Sequence, residues 1–333
     1  MSKTRGWCAV VLAAVCCLVV TSAYAELKIS GYTQARYNHY DDDLSDDADG
    51  FDLRRVRVKV AGPVNDDGTK ITLQVCLGKI DDRGDNSVAL KDATISHPLS
   101  DEWTARLGFA SMEFGLEVPY SSSKRLPLER SQVAGKLFPG ERDTGLYLYY
   151  KSERKGTPNL TLGYSNDLKD NHKITGYAET GDCSALVARA EWPLHNDSVA
   201  GVSYLRAKRE GENADGTPAT PYDNDVWGAH LRHNGDRGLN LQAEYFDGER
   251  KDKDVSGWYA TLEYKPEKAK HTFFYRYDTY DDGVSSHDDY VRHTVGNAWD
   301  VGKNSRITLQ YEDIDTESGA TGSNVGLQWQ TKY

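Results

Sequence analysis

From Leu27 to Tyr333 the chain alternates apolar and polar residues, and this period of two constrains its fold more than any other feature. Leu27, Ile29, Ala35 and Tyr37 alternate with Lys28, Ser30, Gln34 and Arg36, and Ile71, Leu73, Val75 and Leu77 alternate with Lys70, Thr72 and Gln74. Trp258, Ala260, Leu262 and Tyr264 repeat the pattern, as do Val325, Leu327 and Trp329 at the end. Successive side chains of a strand point to opposite faces, so each segment has one apolar and one polar face. About sixteen such segments are present, the one near residues 290–299 weaker than the rest. Beyond residue 25 no apolar run approaches the roughly 18 residues that a membrane-spanning helix needs. With 21 Tyr, 7 Trp and only 10 Pro, the chain suits either a periplasmic β-protein or a barrel whose alternate residues face lipid.

The connections favour the second class. "GPVNDDGT", "PLSDE", "SERKGTP", "PLHND", "NGDRG", "KPEKAK" and "VGKNS" are short and rich in turn formers. Between them come longer, mostly acidic stretches: "DDDLSDDADG", "IDDRGDNS", "REGENADGTPATPYDND" and "DTESGATGS". Short turns at one end and long loops at the other are the outer-membrane arrangement, and an even strand count leaves both termini at the periplasmic end. The expected fold is all-β: a transmembrane antiparallel β-barrel of about 16 strands. Trp192, Trp299, Trp329 and Tyr333 near the short turns, and Tyr40, Tyr222 and Tyr280 near the long loops, are the expected interfacial girdles.

Residues 1–25 read as an export signal: Lys3 and Arg5, an apolar "WCAVVLAAVCCLVV", then the small-x-small "AYA" before Glu26. The expected division is therefore a signal peptide, 1–25, and one barrel domain, 26–333. Cys8, Cys16 and Cys17 leave with the signal, and Cys76 and Cys183 remain, with a spacing that leaves their pairing open. No CxxCH occurs and no cofactor is expected.

The formal net charge is −11, yet "FDLRRVRVKV" (51–60) threads Arg55, Arg57 and Lys59 between valines. If the valines face lipid, these cations face the lumen. The same parity turns Arg36 and Arg106 inward, and over all strands gives about fourteen basic lumenal residues against six acidic. The acidic excess then belongs to loops and turns, and a lumen lined by Arg and Lys concentrates anions. One stretch breaks the alternation. About 34 residues lie between Phe109 and Thr144, and a loop of this length is usually functional. In a barrel of this size it can fold inward and constrict the lumen, bringing Lys124, Arg125, Arg130, Lys136 and Arg142 together with five acidic residues.

"FDLRRVRVKVAGPV", "RLGFASMEFGLE", "SSSKRLPLERS" and "FPGERDTGLYL", in this order and spacing, resemble the phosphate-selective porin O/P family. The resemblance spans most of residues 26–333. It implies a trimeric outer-membrane porin of 16 strands that passes phosphate-type oxyanions through an Arg/Lys-lined, loop-constricted pore. Its Arg-rich second strand falls on Arg54, Arg55 and Arg57, its Glu-Arg-Ser on Glu129, Arg130 and Ser131, and its Arg-Asp on Arg142 and Asp143. This chain departs from it at Glu113, where the family usually has Pro before Phe-Gly, and at Pro127-Leu128, where an aromatic residue is usual. The implied partners are small inorganic anions, outer-membrane lipid and two further copies of the chain, with no nucleic acid among them.

Catalytic chemistry is not expected, since neither GxSxG nor HExxH occurs. His230 and His233 differ by an odd number on a strand and cannot share a metal. "SDDADG" imitates part of a calcium loop, but Val56 stands where its terminal Glu belongs. The competing readings are a weakly selective general porin, whose lumenal charges cancel, and a barrel sheath around an exported electron-transfer cytochrome.

Overall fold

A computed structural model describes residues 27–42, 49–77, 88–138, 142–166, 184–209, 222–284, 289–317 and 319–333. The signal segment, the "SDDADG" core and Cys183, with any pairing to the buried Cys76, lie outside these residues.

The alternating segments form sixteen strands: β1 (Lys28–Asp42), β2 (Gly50–Pro63), β3 (Lys70–Leu77), β4 (Ala89–Pro98), β5 (Trp103–Ser111), β6 (Arg142–Tyr150), β7 (Asn159–Ser165), β8 (Ser184–Pro193), β9 (Val199–Arg209), β10 (Tyr222–Asn234), β11 (Leu239–Arg250), β12 (Lys253–Tyr264), β13 (His271–Asp281), β14 (Tyr290–Asp300), β15 (Ser305–Thr316) and β16 (Thr321–Lys332). Each pairs antiparallel with its neighbours, and β1 pairs with β16, so the sheet closes into a barrel with no free edge. Closure satisfies every strand's backbone within the sheet, the condition for crossing hydrocarbon. Side chains such as Leu107, Leu186, Val202, Leu262, Val295 and Leu327 remain exposed because they form the outer surface. Charged and amide residues such as Arg276, Asp278, Gln310 and Gln328 are buried inside.

The turn-end girdle contains Trp192, Trp299, Trp329 and Tyr333 on the outer face, as expected. The loop-end girdle differs. Tyr280 is buried within the barrel, Tyr222 accepts a lumenal hydrogen bond from Arg250, and Tyr40 shares the inward parity of Arg36. Trp227, Tyr245, Trp258 and Tyr277, four or five residues below the loop-end strand termini, form that band instead, with ring centroids 5.4 Å apart for Trp227–Tyr245 and 4.9 Å for Trp258–Tyr277.

Two irregularities lie close together. The β1–β2 register shifts so that Gln34 faces Arg55 and Ala35 faces Leu53, leaving Arg54 as the extra residue. The β3–β4 register shifts likewise, leaving Lys91 extra between Leu90 and Asp92. A bulge re-aims side chains, and here both extra residues are cations. On the loop side β11 and β12 meet through only Lys251 and Asp252, at φ 55° and 59°, the paired left-handed geometry of a two-residue hairpin.

The segment between β5 and β6 enters the barrel, carrying the helix α1 (Gln132–Leu137). Ser131 caps α1 by accepting from the Ala134 amide. Met112, Phe114, Val118, Val133, Leu137 and Phe138 of the segment pack on Leu205, Val226, Phe246, Val255, Tyr259 and Tyr280 of the inner wall. Phe114 lies 4.8 Å from Phe138 and 5.3 Å from Phe246 between centroids. The loop is thus the partner that buries an apolar patch inside the lumen, across β9–β13.

Candidate functional site

Beyond its apolar anchor the loop is held through its own backbone. Arg36 (β1), Arg276 (β13), Arg292 (β14) and Arg306 (β15) donate to the carbonyls of Leu128, Glu129, Arg130 and Arg125, at distances from 2.6 to 3.3 Å. Arg250 and Arg209 donate to those of Lys136 and Leu137. Wall carboxylates take the loop's amides: Asp278 accepts from Gln132 at 2.7 Å, and Glu244 accepts from Leu116 and, at 2.9 Å, from Glu117. Gly115, at φ +60°, makes this approach possible, since a Cβ there would lie 2.4 Å from Glu244 Oε1.

The β13–β15 wall uses its charge on itself. Asp278 lies 3.0 Å from Arg276 and 3.1 Å from Arg292, and Glu312 lies 3.4 Å from Arg292 and 3.8 Å from Arg276. Glu117 of the loop adds a contact to Arg276 at 3.7 Å. On β1 and β2, Glu129 of the loop receives Arg36, Arg54 and Arg55 at 2.9, 2.8 and 3.0 Å. Burial favours the neutral form of Glu129, but the three guanidinium groups outweigh it and hold the carboxyl well below the usual carboxylate range.

The loop leaves a passage against β2–β5. A cavity of about 400 Å³ there is lined by Arg55, Arg57, Lys59, Arg106, Arg125, Arg130 and Arg142, with Asp92 and Glu113 as the two carboxylates. Thr72, Gln74, Thr94, Ser96, Ser111, Tyr120, Ser121 and Ser122 add neutral hydrogen-bonding groups. Arg142 is tied to the Lys91 carbonyl at 2.8 Å and lies 3.3 Å from Asp92. Arg106 meets Glu113 at 3.0 Å. Arg130 donates to the Glu117 and Val118 carbonyls, at 3.4 and 3.1 Å. By contrast, Arg57, Lys59 and Arg125 have no carboxylate partner among the described residues. Arg57 rests over the Tyr32 ring and makes a long bond of 3.5 Å to Gln74. Arg125 is 6% exposed, and its Nε and Nη1 have no hydrogen-bond partner. Those two nitrogens are closed to solvent, as are the unpartnered Nε and Nη2 of Arg276 on β13, so what distinguishes Arg125 is a charge at the edge of the cavity with no carboxylate bonded to it.

Seven of the ten cations singled out in the sequence therefore border one cavity, and Lys136 lies away from it, over the Tyr290 ring at 5.5 Å. Arg36 does not border it either; it clamps Glu129 and the Leu128 carbonyl. Lys124 is exposed, with its charge close to Lys332 rather than in the cavity. Parity missed Arg54, which reaches Glu129 only because of the bulge. A signal for it exists: the apolar positions are odd at Phe51 and Leu53 and even at Val56, Val58 and Val60. His230 lies 3.2 Å from Glu191 in the lumen while His233 points to Ser198 in a turn. No cluster able to hold a metal occurs among the described residues.

The sequence profile of the family described as phosphate-selective porin O and P matches residues 27–328. No curated protein sequence matches the chain. Among solved structures, an anion-selective porin from Comamonas acidovorans superposes with a TM-score of 0.68 at 12% identity, over 93% of this chain and 100% of that one. In vitro-folded OmpT, a Vibrio cholerae outer-membrane protein in its trimer form, gives 0.65 at 13%, over 93% and 100%. The outer-membrane channel DcaP of Acinetobacter baumannii gives 0.64 at 13%, over 94% and 99%.

Proposed function

The chain belongs to the phosphate-selective porin O and P family and is an outer-membrane channel rather than an enzyme, and from that premise we propose that it is a diffusion pore preferring anions, phosphate-type oxyanions in particular. The observation that carries this reading is the group of cations left without carboxylate partners in the passage: Arg57 and Lys59 on β2, and Arg125 on the loop. A solute crossing here meets Arg57, Lys59 and Arg125 with no carboxylate bonded to them. A tetrahedral oxyanion, with several acceptor oxygens, can bridge more than one of them, whereas chloride gains only the charge. A selective channel must also release what it binds, and the wide exposure of the cavity to water serves release. Arg55, Arg106, Arg130 and Arg142 supply field more than contact, because each already holds an acid or a carbonyl. Lys124 and Arg36 act outside the binding position. We further propose that residues 1–25 are removed on export, that residues 26–333 form the mature barrel, and that three copies assemble, as the trimeric OmpT does.

The test is chloride current through single channels in planar bilayers under added phosphate. The wild-type channel should pass Cl⁻ in preference to K⁺ in dilute salt, and millimolar phosphate should reduce that current. Arg125→Met should raise the half-blocking phosphate concentration about tenfold or more, the value of one charge-assisted hydrogen bond of about 1.5–3 kcal/mol. A channel that prefers K⁺ would sink the anion reading. A chloride current indifferent to phosphate would sink the oxyanion part.

A further inference from the structure

We propose that Glu113 is a specificity-determining residue, a fixed negative charge inside the passage that limits how strongly the channel holds an anion; this rests on the anion-channel reading above. Glu113 stands where the loop leaves β5 and lines the same cavity as the cations. Its carboxylate is the meeting point of three strands: Arg106 of β5 at 3.0 Å, Arg189 of β8 at 3.4 Å and the Tyr149 hydroxyl of β6 at 3.0 Å. Arg106 does not depend on this contact for its position. Its guanidinium lies over the rings of Tyr147 and Tyr149, 4.8 and 5.1 Å from their centroids, and donates to the Ser111 carbonyl. What Glu113 supplies is therefore charge rather than placement. It cancels a guanidinium that the aromatic rings would hold in the passage anyway.

The consequence follows from the sign of each wall. With seven cations against two carboxylates, the lining already favours anions. A further unopposed guanidinium on β5, bordering the same cavity, would add a third cation source to those of β2 and the loop and hold an oxyanion more tightly. Dwell time would then rise at the expense of flux, since conduction needs binding weak enough to reverse. Glu113 confines the unopposed cations to β2 and the loop, and so keeps the hold on an anion weak enough to reverse.

Glu113→Gln removes the charge while keeping an oxygen that can accept from Tyr149 or Arg106. One unit charge acting across about 7 Å of water changes an anion's occupancy about threefold. The half-blocking phosphate concentration in Glu113→Gln should therefore fall about threefold, the dwell time of each phosphate block should lengthen about threefold, and the reversal potential in a KCl gradient should move toward chloride. Glu113→Asp, which keeps the charge, should retain the wild-type reversal potential. The double variant Glu113→Gln/Arg106→Gln should return both readings to near wild type, because the freed charge is Arg106's. A merely structural role would move neither reading in this sign-dependent way. The proposal is overturned if Glu113→Gln, with the same β-sheet circular dichroism as the wild type, leaves block and reversal potential unchanged. It is equally overturned if Asp and Gln at this position behave alike. If the wild-type channel prefers K⁺, the anion reading falls, yet a chloride-ward shift in Glu113→Gln still upholds the role of Glu113.

Discussion

The two sides of the lumen use arginine in opposite ways. On β13–β15, Arg276 and Arg292 are enclosed by Asp278, Glu312 and Glu117, and each also donates to one loop carbonyl. On β2, Arg57 and Lys59 face the passage with no acid beside them, and Arg125 faces them from the loop. The same residue type is framework on one side and solute-facing on the other. The count of lumenal cations therefore overstates the charge available to a solute, and the count of acids tells where that charge has gone.

Removing one partner from the framework side should have the largest effect. Arg276 and Asp278 are both fully buried, and Arg276→Met leaves Asp278 with one guanidinium fewer and releases the Glu129 carbonyl. Breaking such a buried pair costs about 3–5 kcal/mol. The unfolding free energy of the detergent-solubilised protein should fall by that amount, and single-channel conductance should become noisy as the loop loses its hold. A silent Arg276→Met would mean that the two walls do not differ in kind.

On the passage side the expected change is in selectivity, not stability. Arg57 and Lys59 changed together to Glu move about four units of charge into a confined water column with low-dielectric walls. The reversal potential in a KCl gradient should shift toward K⁺, most strongly in dilute salt, since screening sets in over about 10 Å at 0.1 M. The β-sheet signal and unfolding free energy of the detergent-solubilised protein should be unchanged, because lumenal substitutions free of framework contacts tune selectivity more than stability.

The smallest effect is expected from mild acid. Glu129 has a depressed folded-state pKa, so its contribution is present above the unfolded value of about 4.3 and is lost only as pH falls through the folded value, well below it. The difference in loop noise between the wild type and Glu129→Gln should thus stay constant down to about pH 4 and vanish only in stronger acid. A difference that vanishes near pH 5 would show that Arg36, Arg54 and Arg55 do not clamp this carboxylate.

Much of this architecture is legible in the sequence, for a definite reason. A barrel wall separates lipid from water along every strand, so Leu241, Ala243 and Tyr245 or Leu309 and Tyr311 must alternate with polar residues, and the strand count follows. The alternation stops informing where the inner face is not wet. Leu205, Val226, Phe246 and Val255 occupy lumenal positions because the loop covers them, and an alternation rule cannot foresee a cover from elsewhere in the chain. The neighbours do carry a trace: Val202, Tyr204 and Leu205 make β9 apolar on both faces, the mark of a strand buried on both sides. The bulge at Arg54 left its mark in the switch from odd to even apolar positions, and that at Lys91 in the switch from Leu90 to Ala93 and Ile95. The hairpin at Lys251 and Asp252 left none, since neither residue is the Gly or Asn such turns favour. The loop's cations were evident as residues, but which of them keep spare donors depends on carbonyls and acids that only the folded path brings near.

That path is fixed largely by contacts to main-chain carbonyls, and every amino acid has one. Arg36, Arg250, Arg276, Arg292 and Arg306 would grip the same trace whatever side chains it displayed. A lineage can therefore rewrite residues 119–128, exchanging one solute preference for another by point substitution, while the route across the barrel stays put. Inheritance of the scaffold and turnover of the cargo are separable here, and a protein engineer could exploit the separation as readily as natural selection can.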